Sequence, residues 1–145
     1  MTPRLLVIDT QSLFDWLIFR DPACDAWPRA LATGRWQWIY TDAMRAEFEH
    51  VAARGFGPRW PVPVEQTARA WAEYGRALAE PAAPGATARL LCTDPDDQKF
   101  IDLAIAAGAH TLLSRDKALL RLARRARERH GLLVRAPAGW NPDEE

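Results

Sequence analysis

The chain has 145 residues, enough for one ordinary domain with a real core and too few for two comfortable ones. Hydrophobic residues make up 48% and charged ones 26%, which excludes a disordered or membrane-embedded chain. The formal net charge is +0, so the surface lacks the basic excess of an avid nonspecific nucleic-acid binder, and any such binding has to be local.

Taken in chain order, "RLLVIDT" (residues 4–10) predicts a short buried strand that delivers Asp9 at its carboxyl end. "QSLFDWLIF" (11–19) predicts a helix, "WQWIYT" (36–41) a second strand, and "TDAMRAEFEHVAAR" (41–54) a helix capped by Thr41 or Asp42. Residues 55–63 carry glycines and prolines and predict irregular chain, followed by a helix over 64–80 that "PAAPG" breaks. "ARLLCT" (88–93) predicts a third strand, 95–108 a helix closed by Gly108, "HTLLS" (110–114) a fourth strand, 117–130 a last helix stopped by Gly131, and "LLVRAP" (132–137) a further strand. This alternation predicts an α/β fold, a single domain over residues 1–145 with a parallel sheet flanked by helices on both faces. Ligands of such sheets bind beyond the carboxyl ends of the strands, where Asp9, the residues after Cys92, and Asp116 all fall.

Helical phase, about 100° per residue, sorts the acids further. With Asp97 at zero, Ile101, Ala104, Ile105 and Gly108 lie within roughly 80° and Asp102 at about 140°, so Asp97 heads the buried stripe and Asp102 is expected in solvent. Around Glu47, Ala43, Met44 and Val51 lie within about 60° while Glu49 falls near 200°. An acid on a buried face needs an arginine, a set of donors or a metal. Capping competes as an explanation. Asp94 before Pro95 is a natural helix cap, Asp96 complements the helix dipole, Asp97 stands where a capping-box acid would, and Asp116 could cap the last helix. Asp9, at a strand end, resists that explanation.

Four acids on one frame, with the segments "LLVIDTQSLFDWL", "TDAMRAEFEHV" and "DPDDQKFIDLAIAAGAHTLLSRDKALL", resemble the PIN-domain nucleases, and within them the branch of toxins from toxin–antitoxin systems. The resemblance covers most of the chain, and its last segment is the most specific. It implies a PIN-like fold and assigns the family's acids to Asp9, Glu47, Asp97 and Asp116. Its hydroxyls fall on Thr10 and Ser114, which it marks as supports of the acids or as phosphate contacts. Two departures are visible: the usual "DTN" is "DTQ", with Gln11, and the second acid often found two positions after the last one is Ala118. Both bear on metal affinity rather than on the fold.

Four carboxylates around one pocket suit Mg²⁺ or Mn²⁺, hard ions that take oxygen ligands. With the resemblance, this implies a metal-dependent endoribonuclease leaving 5′-phosphate ends, with Asp9 as central ligand and Asp97 and Asp116 as further ligands. Glu47 would be a ligand through water or the positioner of the attacking water. The alternative is a PIN-like module that binds RNA or a protein without cutting. A phosphoryl-accepting Asp9 is weaker, because "DxDxT" needs an acid where Gln11 stands.

The run "RLARRARERH", with Arg121, Arg124 and Arg125, is either a solvated helix end or a contact for the RNA backbone. Trp36, Trp38 and the other tryptophans are expected in the core or an interface, and the three histidines show no ligand spacing. Cys24 and Cys92 form no CxxC or Cys/His cluster, so no disulfide framework or zinc site is expected. Asp9 interrupts the N-terminal apolar run before signal length is reached, and no segment is long enough to span a bilayer, so the expected location is the cytoplasm. The resemblance further implies a small antitoxin protein as partner and leaves a homodimer open.

Overall fold

The computed structural model describes residues 2–82, 85 and 89–143. Its strands are β1 (Arg4–Ile8), β2 (Trp36–Tyr40), β3 (Gly75–Ala77), β4 (Thr111–Leu113) and β5 (Leu133–Arg135). They pair in parallel throughout, in the order β3-β2-β1-β4-β5. The helices are α1 (Thr10–Leu17), α2 (Trp27–Ala32), α3 (Asp42–Arg54), α4 (Val64–Tyr74), α5 (Gln98–Ala107), α6 (Lys117–Leu120) and α7 (Ala123–His130). Among the described residues no helix is long and apolar enough to cross a membrane.

The connections leave β1 toward β2 and β3 on one side, then return past it to β4 and β5. Right-handed crossovers therefore put α1 to α4 over one face and α5 to α7 over the other. The reversal beside β1 opens a crevice between the carboxyl ends of β1 and β4. Leu6, Val7 and Ile8 of β1 are all buried, as a strand covered on both faces requires. On the first face the tryptophans interlock: Trp38 packs against Trp16 of α1 and Trp71 of α4, and Trp36 against Trp140. Trp36 and Trp38 are core residues, as expected.

Four expectations need correction. The helix expected over 64–80 stops at Tyr74, and Gly75–Ala77 pairs with β2 as the edge strand. The strand expected over 88–93 is absent among its described residues, 89–93; Ala88 lies outside the described residues. Its backbone bonds go instead to the Gln98 side chain, which donates to the Leu90 carbonyl (2.8 Å) and accepts from the Cys92 N–H (2.7 Å). That segment covers α5, so Asp102 is not in solvent: it accepts from Gln98 (3.0 Å) and Arg89 (3.2 Å) with its side chain 17% exposed. The helix expected over 117–130 divides into α6 and α7, where a Leu122 N–H to Leu119 carbonyl bond tightens the turn and buries both leucines.

Candidate active site

At the carboxyl end of β1 the backbone N–H of Asp9 still pairs with the Leu113 carbonyl of β4, so the Asp9 side chain leaves the sheet at the crevice. Asp9 is 2% exposed and does cap a helix, contrary to expectation: Oδ1 accepts the Ser12 N–H of α1 (2.8 Å). Its Oδ2 accepts the hydroxyl of Ser114 (2.5 Å), and that hydroxyl in turn accepts the Asp116 N–H (3.0 Å). Ser114, fully buried, thus ties the acid after β1 to the acid after β4. Burial raises the Asp9 carboxyl above its ordinary value, the Ser114 bond pulls it back, and the charge of Asp116 adds to the rise.

Above this floor lies a cleft of about 410 Å³ whose walls include Asp9, Thr10, Gln11, Asp97, Arg115 and Asp116, with Phe14 and Val51 on its apolar side. A second hollow of about 420 Å³, between α3 and α4, is lined mainly by apolar side chains and gathers no such set of acids. Asp97 takes the position before α5 but makes no capping hydrogen bond with its side chain. Its Oδ2 is buried without a partner among the described residues. One carboxylate oxygen each from Asp94, Asp97 and Asp116 lie within 4.8 Å of one another. Burial, then the charges of Asp116, Asp94 and Asp9, push the Asp97 carboxyl up to about 7, against the pull of Lys99. Asp116 serves two ends at once: Oδ1 caps α6 through the Ala118 N–H (2.8 Å), while the carboxylate faces the cluster.

Asp94 is the ligand-type residue that capping logic hid. It does not cap α5; its Oδ1 accepts the Asp96 N–H (2.9 Å), closing a separate turn that brings it over Asp97. The three-residue spacing to Asp97 was the available signal, since residues that far apart share one side of a turn.

Glu47, half-buried on α3, has the partners its position demands. Oε1 accepts the Thr10 hydroxyl, and Oε2 lies 2.6 Å from the Lys99 ammonium, which also donates to the Asp96 carbonyl (2.5 Å). Glu47 is therefore joined to the cleft through Thr10 and Lys99 rather than through the group of three carboxylates. Lys99, which sequence reasoning did not single out, is one of only two lysines in the chain.

Gln11 does not orient Asp9. Its amide donates to Asp15 Oδ1 (3.2 Å), and Asp15, 5% exposed, holds Arg115 through two bonds. Arg121, Arg124 and Arg125 are all exposed, and none lines the cleft; Arg124 pairs with Glu128 (3.1 Å).

Three converging carboxylates and one buried, unpartnered oxygen are hard donors, and they fit a hard divalent ion: Asp94, Asp97 and Asp116 would hold it. No curated protein matches the chain significantly. A family profile described as PIN domain matches residues 5–118, a span that takes in every carboxylate of the cleft. PIN domains are generally nucleases, and an acid-lined crevice beside β1 and β4 accords with that chemistry. On that match the chain belongs to the PIN-domain family.

Proposed function

We propose that this protein is a Mg²⁺- or Mn²⁺-dependent endoribonuclease, the toxin of a toxin–antitoxin pair, acting in the cytoplasm. One observation carries the reading: Asp97 Oδ2 is buried without a partner beside the carboxylates of Asp94 and Asp116. An unpaired buried acceptor among like charges is costly unless a cation satisfies it. A bound divalent ion supplies Lewis-acid polarisation of a phosphoryl oxygen and a water of lowered pKa.

The chain's own groups divide the remaining work. Asp9, fixed by the Ser12 N–H and the Ser114 hydroxyl, forms the cleft floor beside the three carboxylates that would hold the ion. Ser114 and Thr10 act by orienting Asp9 and Glu47 respectively. Glu47 would serve as a ligand through water or as the positioner of the attacking water. Arg121, Arg124 and Arg125, exposed on the surface, meet the RNA strand beyond the cleft. The toxin assignment, with its small antitoxin partner, rests on the likeness of "DPDDQKFIDLAIAAGAHTLLSRDKALL" to that branch. A short DNA-binding protein encoded in the adjacent reading frame is its expected companion.

The test uses purified protein shown to carry no co-purified inhibitor. It should cleave single-stranded RNA with Mn²⁺ or Mg²⁺, stop in EDTA, and leave 5′-phosphate ends, while Asp97→Asn should be inactive with its fold intact. Equal cutting in EDTA, or an active Asp97→Asn, would defeat the mechanism. The Lys99 ammonium on Glu47 favours one rival, a module that binds RNA without cutting it. That rival gains if calorimetry finds no Mn²⁺ binding while RNA is still retained.

A further inference from the structure

The cleft poses an electrostatic difficulty for the substrate that its acids suggest. Asp9, Asp97 and Asp116 all line it, and a phosphodiester strand approaching them is repelled. Among the described residues lining the cleft, Arg115 is the one cation. It stands in the chain between Ser114 and Asp116, so the strand end that presents the last acid also presents this guanidinium.

Arg115 is held, not loose. Its Nε donates to Asp15 Oδ2 (2.7 Å) and its Nη2 to Asp15 Oδ1 (3.1 Å), a forked pairing that fixes the plane of the group. Asp15 is 5% exposed and comes from the buried side of α1, and Gln11, one turn earlier, donates to the same carboxylate (3.2 Å). The Arg115 side chain is nevertheless 55% exposed. Its Nη1 amino group has no acceptor among the described residues, and the fork to Asp15 leaves it free for another ligand. A buried acid is an expensive anchor for a surface pair that ordinarily contributes little. The expense is understandable if the guanidinium must be rigid, since a fixed fork loses less freedom when it meets an oxyanion.

We propose that Arg115 is the phosphate-binding residue of the cleft, clamped by Asp15 and Gln11 so that its outer N–H groups receive a backbone phosphate of the RNA strand next to the acid cluster. This rests on the nuclease reading of the cleft, and it gives Gln11 a role that its departure from the family pattern left open. Asp15 and Gln11 are positioning residues that act through Arg115.

The test measures binding apart from cutting. A fluorescently labelled single-stranded RNA oligonucleotide is titrated in EDTA, by anisotropy, over a series of KCl concentrations. Arg115→Gln should weaken affinity about tenfold, the loss expected for one charge-assisted contact, and should flatten the plot of log affinity against log salt by about 0.7. Because Arg115→Gln strips a buried Asp15 of its partner, the double variant Asp15→Asn/Arg115→Gln is measured beside it; it leaves no unpaired charge and should show the same weakening and the same flattening. Arg115→Lys should restore the slope while recovering only part of the affinity, because one ammonium cannot hold both Asp15 and a phosphate in a fork. Parent-like affinity and slope in Arg115→Gln and in the double variant would overturn the proposal, as would a parent protein that retains no RNA. Loss of RNA cleavage by the parent with Mn²⁺, while the slope still depends on Arg115, would instead remove the nuclease reading and leave the phosphate contact standing.

Discussion

The Lys99 ammonium lies 2.6 Å from Glu47 Oε2, joining the first turn of α5 to the middle of α3. The pair is neither buried nor free, with side chains 27% and 33% exposed. It satisfies the acid that helical phase put on the inner side of α3, and it sets a positive charge two residues from Asp97.

Lys99→Met separates these effects. Losing a partly exposed ion pair should cost about 0.5–1 kcal/mol, a fall of roughly 1–4 °C in melting temperature for a chain of this size. Removing the cation should at the same time raise Mn²⁺ affinity about fivefold, which corresponds to about 1 kcal/mol. Thermal denaturation and calorimetry read the two. Unchanged Mn²⁺ affinity would place Lys99 and Glu47 outside the influence of the ion.

Asp97 should make the metal-free protein less stable as pH rises. Its carboxyl is pushed from 3.8 up to about 7, chiefly by burial and then by Asp116, Asp94 and Asp9. Between those values the folded chain binds a proton that the unfolded chain has released, so the contribution is fully present below the lower value and is lost as pH climbs through the upper one. In EDTA the melting temperature should therefore decline from pH 5 to pH 8, and Asp97→Asn should flatten the decline. Mn²⁺ affinity should run the opposite way, rising through pH 7 as the competing proton leaves. A parent and an Asp97→Asn variant with identical pH profiles would contradict this.

Asp116 allows capping and charge crowding to be distinguished at one position. Its Oδ1 accepts the Ala118 N–H at 2.8 Å, and Asn keeps that acceptor whereas Ala does not. In EDTA both variants remove a like charge beside Asp97, so Asp116→Asn should hold or gain stability, and Asp116→Ala should lie about 1 kcal/mol below it for want of the cap. Both should lose Mn²⁺ binding. Equal stability of the two variants would mean that the Ala118 bond contributes nothing, and a drop in Asp116→Asn would mean that repulsion within the cluster is negligible.

The features legible in the sequence were local ones. Asp9, Asp97 and Asp116 stand at the ends of short runs whose period and punctuation announce strands and helices, and the parallel order follows from their alternation. What escaped depends on contacts between distant residues: Glu47 meets Lys99 across 52 positions, and Asp15 meets Arg115 across 100. Asp94 was obscured because Asp-Pro before a helix is an ordinary capping signature, so a local rule supplied a sufficient wrong account. Residues 89–92 have the composition of a strand, yet a single glutamine amide takes two of their backbone bonds. No alternation within the segment could reveal that.

Gly75 explains another error, the helix drawn too long. Its N–H still bonds to the Trp71 carbonyl as the last link of α4, and then the chain extends alongside Trp38 as β3. A Cβ at this position would stand 2.7 Å from Tyr40 Cε1, 2.9 Å from the Trp71 carbonyl oxygen and 3.2 Å from Trp38 Cε3. The aromatic rings belong to the packed face of β2 and the oxygen belongs to the helix backbone, so none can yield cheaply. Gly75→Ala should cost about 1–3 kcal/mol, the usual range for overpacking, although alanine is the better helix former. The strain falls among Trp38, Tyr40 and Trp71, at the β3 edge, whereas the acids sit at β1 and β4. The variant should therefore melt several degrees lower and show altered tryptophan fluorescence, yet bind Mn²⁺ with parent affinity below its melting temperature. A Gly75→Ala protein as stable as the parent would mean that the edge strand does not sit this tightly against Trp71, and a loss of Mn²⁺ affinity would mean that the edge strand and the acid cluster are coupled through the sheet.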